Sequence, residues 1–176
     1  MTESSVNTRK MILVTGATGY VGRFLTPELW NRGYRVRELS TRLVPGELSS
    51  ECQGVEMVIH CAAELRDRSK MYHTNVIGTK AIAAAAALAG VKEFIYIGTA
   101  STRDTEYVRT KQKGERIVTS YGDQMQVKII RIPTLYGGPR GPKWLQAMKL
   151  FLQWRPINLQ SREDAVRDIV QAVEAI

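Results

Sequence analysis

Cysteine is scarce in this chain. Only Cys52 and Cys61 occur, with no Cys-x-x-Cys pair, and the two histidines form no cluster at metal-ligand spacing. A disulfide scaffold and a zinc module are therefore excluded, and a reducing, cytoplasmic setting is expected. Long apolar runs are missing too. The longest small-apolar stretch, AIAAAAALAGV at 81–91, reaches about half of the ~20 residues that cross a bilayer. It reads as a helix packed closely through alanine, so no membrane partner is expected. The opening MTESSVNTRK carries no apolar segment behind its charges, so residues 1–10 read as a flexible tail and not as a secretory signal.

Acid is also short relative to base. Against 17 Asp and Glu stand 25 Lys and Arg, a net charge of +8, which suits an anionic partner such as a nucleotide cofactor, a phosphorylated substrate or nucleic acid. The basic residues are scattered, so a plainly solvated basic surface is the alternative. No basic motif with interleaved aromatics is present, which argues against nucleic acid.

What is present fits one domain: 176 residues, 44% apolar, with strands and helices in alternation. KMILVTGATGYVG runs from a β-branched strand into a glycine-rich turn. The helix after it shows an apolar stripe of Phe24, Leu25, Leu29 and Trp30, tolerates Pro27 near its start, and stops at Gly33. Further strands are expected around Arg35–Leu39, in VEMVIHCAA (55–63), in KEFIYIGT and in QVKIIRI; helices are expected over about 72–89 and from Tyr107 to Val118. SREDAVRDIVQAVEAI closes the chain, with Ser161 and Asp164 as a capping-box-like start and Val166, Ile169, Val170 and Val173 on one face. This alternation predicts an α/β fold, a Rossmann-like doubly wound parallel sheet with helices on both faces.

Gly16, Gly19 and Gly22 are spaced for phosphate binding. Glycine there allows a sharp turn, close backbone approach to a pyrophosphate and tight packing of helix on strand, while the helix start offers unpaired N–H groups. The end of the second strand reads LSTR, with Ser40 and Arg42 and no acid. An Arg can fork onto a 2′-phosphate and no carboxylate repels it, so NADP(H) is favoured and NAD(H) stays open. Arg42 as an ordinary loop arginine is the alternative.

Taken in order, the pieces resemble the extended and atypical short-chain dehydrogenases/reductases of the NAD(P)-dependent epimerase/dehydratase type. TGATGYVG is similar to the cofactor fingerprint, which implies contacts from Thr18, Tyr20 and Val21. VIHCAA is similar to the strand whose Cys61, Ala62 and Ala63 would line the cofactor, and NVIGT to the helix motif opened by Asn75. RIPTLYGGP resembles the loop that would hold the nicotinamide end through Pro133, Thr134 and Leu135. YVRTK matches Tyr-x-x-x-Lys, with Glu115 four residues on. The resemblance implies Thr99, Tyr107 and Lys111 as the catalytic set. Tyr and Lys four apart share one helix face, so the cation is expected to lower the phenol pKa. Lys111 would also hold the ribose hydroxyls, and His60 and His73 are expected in packing or surface roles.

The implied function is NAD(P)(H)-dependent hydride transfer at a secondary alcohol, ketone or sugar carbon, with a carbonyl, alcohol or nucleotide-sugar substrate. The alternative is a catalytically inactive NADP(H)-binding sensor or assembly module. A homodimer through the alanine-rich and Tyr107 helices is also implied. Three segments are shorter than in the resembled family. Between Arg42 and PGEL a strand is missing, leaving Glu47–Leu48 as the stand-in for an acidic–Leu pair near the adenine. Seven residues separate Thr99 from Tyr107, and extended they still span roughly 25 Å. Beyond Gly138 the substrate region is reduced. The expected layout is thus a tail at 1–10, a cofactor-binding domain at 11–138, and a reduced substrate region with closing helix at 139–176.

Overall fold

The computed structural model describes residues 10–39, 43–136 and 159–176. Ser40, Arg42 and the segment beyond Gly138 up to Ile157 lie outside the described residues. The elements are β1 (Met11–Thr15), α1 (Gly22–Asn31), β2 (Arg35–Leu39), β3 (Met57–His60), α2 (Arg68–Tyr72), a π-helical segment (His73–Gly78), α3 (Thr79–Leu88), β4 (Glu93–Thr99), α4 (Glu106–Thr119), β5 (Gln126–Ile132), β6 (Thr134–Tyr136), β7 (Leu159–Ser161) and α5 (Arg162–Glu174).

Five strands form one parallel sheet in the order β2-β1-β3-β4-β5, while β6 and β7 pair separately in parallel. The chain order reverses between β1 and β3, so the carboxyl ends of these neighbours open a crevice there, where open α/β sheets take ligands.

Strand alternation divides the core in two. On one face Leu13, Val58, Phe94 and Tyr96 pack under α3, and on the other Ile12, Val14, Met57, Ile59, Ile95 and Ile97 pack under α1 and α5. Because every core strand is covered on both faces, its sequence is apolar throughout instead of alternating. Leu25 and Leu29 of α1 are fully buried, but Phe24 and Trp30 from the expected stripe are 36% and 50% exposed. Their positions flank the stripe, and the arc of α1 that faces the sheet is too narrow to take four large side chains. Val166, Ile169, Val170 and Val173 of α5 are all buried as expected, and Ser161 accepts from the Asp164 N–H at 3.0 Å.

The helix expected over 72–89 is not one α-helix. It begins at Arg68, widens into the π turn at His73–Gly78 and returns to α geometry. The missing extra strand leaves β2 at a sheet edge. The loop after it turns Leu43, Leu48, Cys52 and Val55 into the core. Arg37 of β2 holds this loop by donating to the carbonyls of Glu51 and Gln53 at 2.6 and 3.0 Å. Charged Arg35 and Glu38 stand exposed on the strand, a common guard against edge pairing.

Candidate active site

The glycine turn is built by close contact. Gly16 has φ +66°, and a Cβ on it would stand 2.7 Å from the Cα and N of Ala62. The end of β1 and the segment after β3 therefore touch through backbone alone. Gly22 lies under the turn, where a Cβ would meet the Gly16 carbonyl and come within 2.8 Å of Ala17 Cα; it serves packing and does not face the cleft. The N–H groups of Thr18, Tyr20 and Val21 have no acceptor among the described residues. The buried Tyr20 hydroxyl and the Arg23 Nε and Nη2 likewise have no hydrogen-bond partner. A cradle free of Cβ atoms with unspent donors fits the pyrophosphate of a dinucleotide.

Above this turn opens a cleft of about 1260 Å³. Gly16, Thr18, Gly19, Tyr20 and Val21 form one side, and Cys61, Ala62 and Ala63 the floor. Thr99, Tyr107 and Lys111 face it from β4 and α4, and Pro133, Thr134 and Leu135 close it beyond β5. The residues expected from the sequence thus converge, with three exceptions among those described besides Gly22. Leu48 is 3% exposed within the core, and Glu47 is exposed on the loop outside the cleft. Neither side chain lines the cleft, so this pair is no stand-in for an adenine contact. Leu43 occupies the cleft wall instead.

Asn75 is the third. It is fully buried, and its carboxamide clamps the backbone of Glu64, accepting from the N–H at 2.8 Å and donating to the carbonyl at 2.9 Å. It also donates to Thr110 Oγ1 at 3.0 Å, and that hydroxyl donates to the Tyr107 carbonyl at 2.9 Å. Asn75 therefore ties the loop after β3 to the helix carrying Tyr107 and Lys111, without lining the cleft itself.

A buried chain supports the same floor. Thr79 Oγ1 donates to the Asn75 carbonyl at 2.8 Å, so at 3.0 Å it must accept from His60 Nε2–H. Nδ1 is then the acceptor, and Thr15 Oγ1 donates to it at 2.6 Å while accepting from the Ala62 N–H at 3.4 Å. Burial, with the Lys111 charge behind it, holds the His60 pKa down at about 3, so the ring is neutral and structural, as expected. The thiol of Cys61 is pushed up to about 12 by burial, which removes it as a nucleophile near neutral pH.

Thr105 starts α4 by accepting from the Val108 N–H at 3.2 Å, which places Tyr107 in the first turn and Lys111 one turn on. Burial raises the Tyr107 pKa, contrary to the expected lowering. The cause is the burial of the phenol itself; Lys111 is 3% exposed and has its own pKa drawn down to about 8 by burial. Its ammonium lies 4.2 Å from the centroid of the Tyr96 ring.

Residues not anticipated also line the cleft: Arg23, Glu64, Arg66, His73, Ser101 and Arg103. The Glu64 carboxylate is spent on the N–H groups of Leu65, Arg66 and Asp67, whereas Arg23, Arg66 and Arg103 have no carboxylate partner among the described residues. The signal available for Arg66 and Arg103 was position, one just after the Ala62–Ala63 strand end and the other in the Thr99–Tyr107 loop. Among the described residues no group of metal-capable side chains gathers, and no helix is long and apolar enough to cross a membrane.

The match to known proteins agrees with this architecture. The chain belongs to the NAD dependent epimerase/dehydratase family, whose model matches residues 12–176. It is 32% identical over 138 residues to a putative dihydroflavonol 4-reductase of Synechocystis sp., covering 66% of this chain and 39% of that protein. It is 28% identical over 157 residues to a ceramide reductase of Caulobacter vibrioides, covering 76% and 49%. The chain therefore spans less than half the length of either relative. Among solved structures, the UDP-glucuronic acid 4-epimerase of Bacillus cereus in complex with NAD superposes with a TM-score of 0.75 at 21% identity, over 93% of this chain and 74% of that one. The dTDP-4-dehydrorhamnose reductase of Bacillus anthracis in complex with NADP gives 0.69 at 22%, over 94% and 71%. These likenesses establish the shared fold.

Proposed function

We propose that this chain is an NAD(P)(H)-dependent oxidoreductase or epimerase-like enzyme acting at a secondary alcohol, ketone or sugar carbon. The observation that carries the reading is convergence: Thr99, Tyr107 and Lys111 face the same cleft as the glycine turn with its unspent donors. In the oxidative direction the Tyr107 phenolate takes the hydroxyl proton as the carbinol C–H bond breaks; in reduction the phenol returns it to the carbonyl oxygen. Thr99 orients that oxygen by hydrogen bonding. Lys111, as an ammonium, favours phenolate and holds the ribose hydroxyls. A bound nicotinamide supplies or accepts the hydride.

NADP(H) is the favoured cofactor, on the basis of Arg42 and the absence of an acid at the end of β2. For the substrate, Arg66 and Arg103 support an anionic molecule, with a nucleotide-sugar as the leading class. The competing reading, a cofactor-binding module without chemistry, is motivated by the shortened substrate region after Gly138. One experiment separates them. Tyr107→Phe is expected to keep NADPH affinity within about twofold while turnover on a responsive carbonyl or sugar-nucleotide substrate falls 100-fold or more. Full turnover in this variant would overturn the catalytic assignment, and NADPH binding with no turnover by the unaltered chain across such substrates would favour the module.

A further inference from the structure

Tyr96 lies in β4, three residues before Thr99, and is fully buried. Two different parts of its side chain touch one residue of α4. The ring centroid is 4.2 Å from the Lys111 ammonium, and the hydroxyl donates to the Lys111 carbonyl at 3.0 Å. Lys111 makes no salt bridge or side-chain hydrogen bond among the described residues, although it is almost wholly enclosed. An aromatic face within about 6 Å attracts a cation, most strongly where water is excluded. The ring is thus the direct partner that offsets the desolvation of this cation. Glu115 and Cys61 also act on it, through charge alone.

We propose that Tyr96 is a positioning residue for Lys111: its ring face seats the ammonium and its hydroxyl fixes the helix turn from which the lysine extends, delivering the cation to the cleft floor instead of to solvent. The geometry at Gly114 agrees. A Cβ there would collide with the Tyr96 hydroxyl and stand 2.8 Å from the Asn75 carbonyl, so α4 lies against Tyr96 at backbone distance. The catalytic consequence rests on the role given to Lys111 above; the seat itself does not.

Tyr96→Phe removes the hydroxyl bond alone, and from that variant onward the series keeps volume nearly constant and changes the ring's electron density. Tyr96→Phe, Tyr96→4-fluorophenylalanine and Tyr96→pentafluorophenylalanine are compared by ¹⁵N titration of Lys111 Nζ, with melting temperature recorded for each. The proton affinity of Lys111 is expected to stay within about twofold in Tyr96→Phe and to fall stepwise, reaching about tenfold in the pentafluoro variant. An unchanged affinity across the series, or one that falls only in proportion to melting temperature, would overturn the seat. Turnover is read in parallel. A stepped titration with unaltered turnover leaves the seat standing and removes Lys111 from the chemistry.

Discussion

Two residues in this molecule are constrained from every side. At Gly16 a left-handed φ and a backbone neighbour at 2.7 Å act together, so alanine is disfavoured twice over. His60 is constrained by hydrogen bonding instead. Its pKa of about 3 lies below the ordinary 6.5, so the unfolded chain binds a proton more readily than the folded one. The stabilisation is complete above about pH 6.5 and is lost as pH falls from there towards 3. At pH 5 the loss from this group is about 2 kcal/mol. Lys111 is the charge that faces the ring and strengthens the effect. In His60→Gln the melting temperature is expected to be lower at pH 7.5 but to drop less between pH 7.5 and 5 than in the unaltered chain. Thermal melts at the two pH values check this.

Among the elements, α4 bears Tyr107 and Lys111, the residues proposed for the chemistry, and lies at backbone distance from the π-helical segment. Its N-cap at Thr105 sets where Tyr107 falls, and its crossing of the π-helical segment is set at Gly114. Gly114→Ala is expected to cost about 1–3 kcal/mol through overpacking, because the obstructing Asn75 carbonyl is main chain and cannot rotate away. Denaturant unfolding measures the cost, and a stability equal to that of the unaltered chain would show that α4 has room to shift.

At this scale the difference between what was legible and what was not has a physical pattern. The glycine turn and Tyr107–Lys111 are legible because their meaning lies in local spacing: three residues per turn of chain, or four along one helix face. Leu48 and Asn75 were not, since the destination of a side chain depends on how its loop or helix packs. Leu48 turns inward to pack with Leu43, Cys52 and Val55 in the core. Asn75 turns inward because the π turn rotates it toward Glu64 and Thr110. The sign of the Tyr107 shift is not legible for the same reason: spacing puts a cation on the same helix face, but only packing shows that the phenol itself is buried.

For the molecule as a whole, the two faces of the sheet differ in what covers them. One is closed in part by α3, where Ala83, Ala85 and Ala86 let the helix approach closely; the other needs α5, whose Ile169 is fully buried. The closing helix, grouped by sequence with the substrate region, therefore completes the core beside α1, and Arg32 reaches across to Glu174 at 2.6 Å. Ile169→Ala is expected to destabilise the protein by about 3 kcal/mol, within the range for buried isoleucine truncation. Leu88→Ala, at a position 85% exposed, is expected to change stability by less than about 0.5 kcal/mol. Urea unfolding followed by both tryptophan fluorescence and circular dichroism checks the pair. Non-coincident transitions for Ile169→Ala would show that α5 is not part of one cooperative unit.

The hydrogen-bond chain through His60 has a consequence for observation. Its single N–H proton, on Nε2, is shut away from solvent between β3 and Thr79. Such a proton exchanges with solvent only when the structure around it opens. Its resonance would persist in water while those of exposed imidazoles vanish, and its decay in deuterium oxide would time the opening of the sheet beneath Ala62. The molecule thus carries its own clock at the base of the cleft, readable with no ligand and no label beyond nitrogen-15.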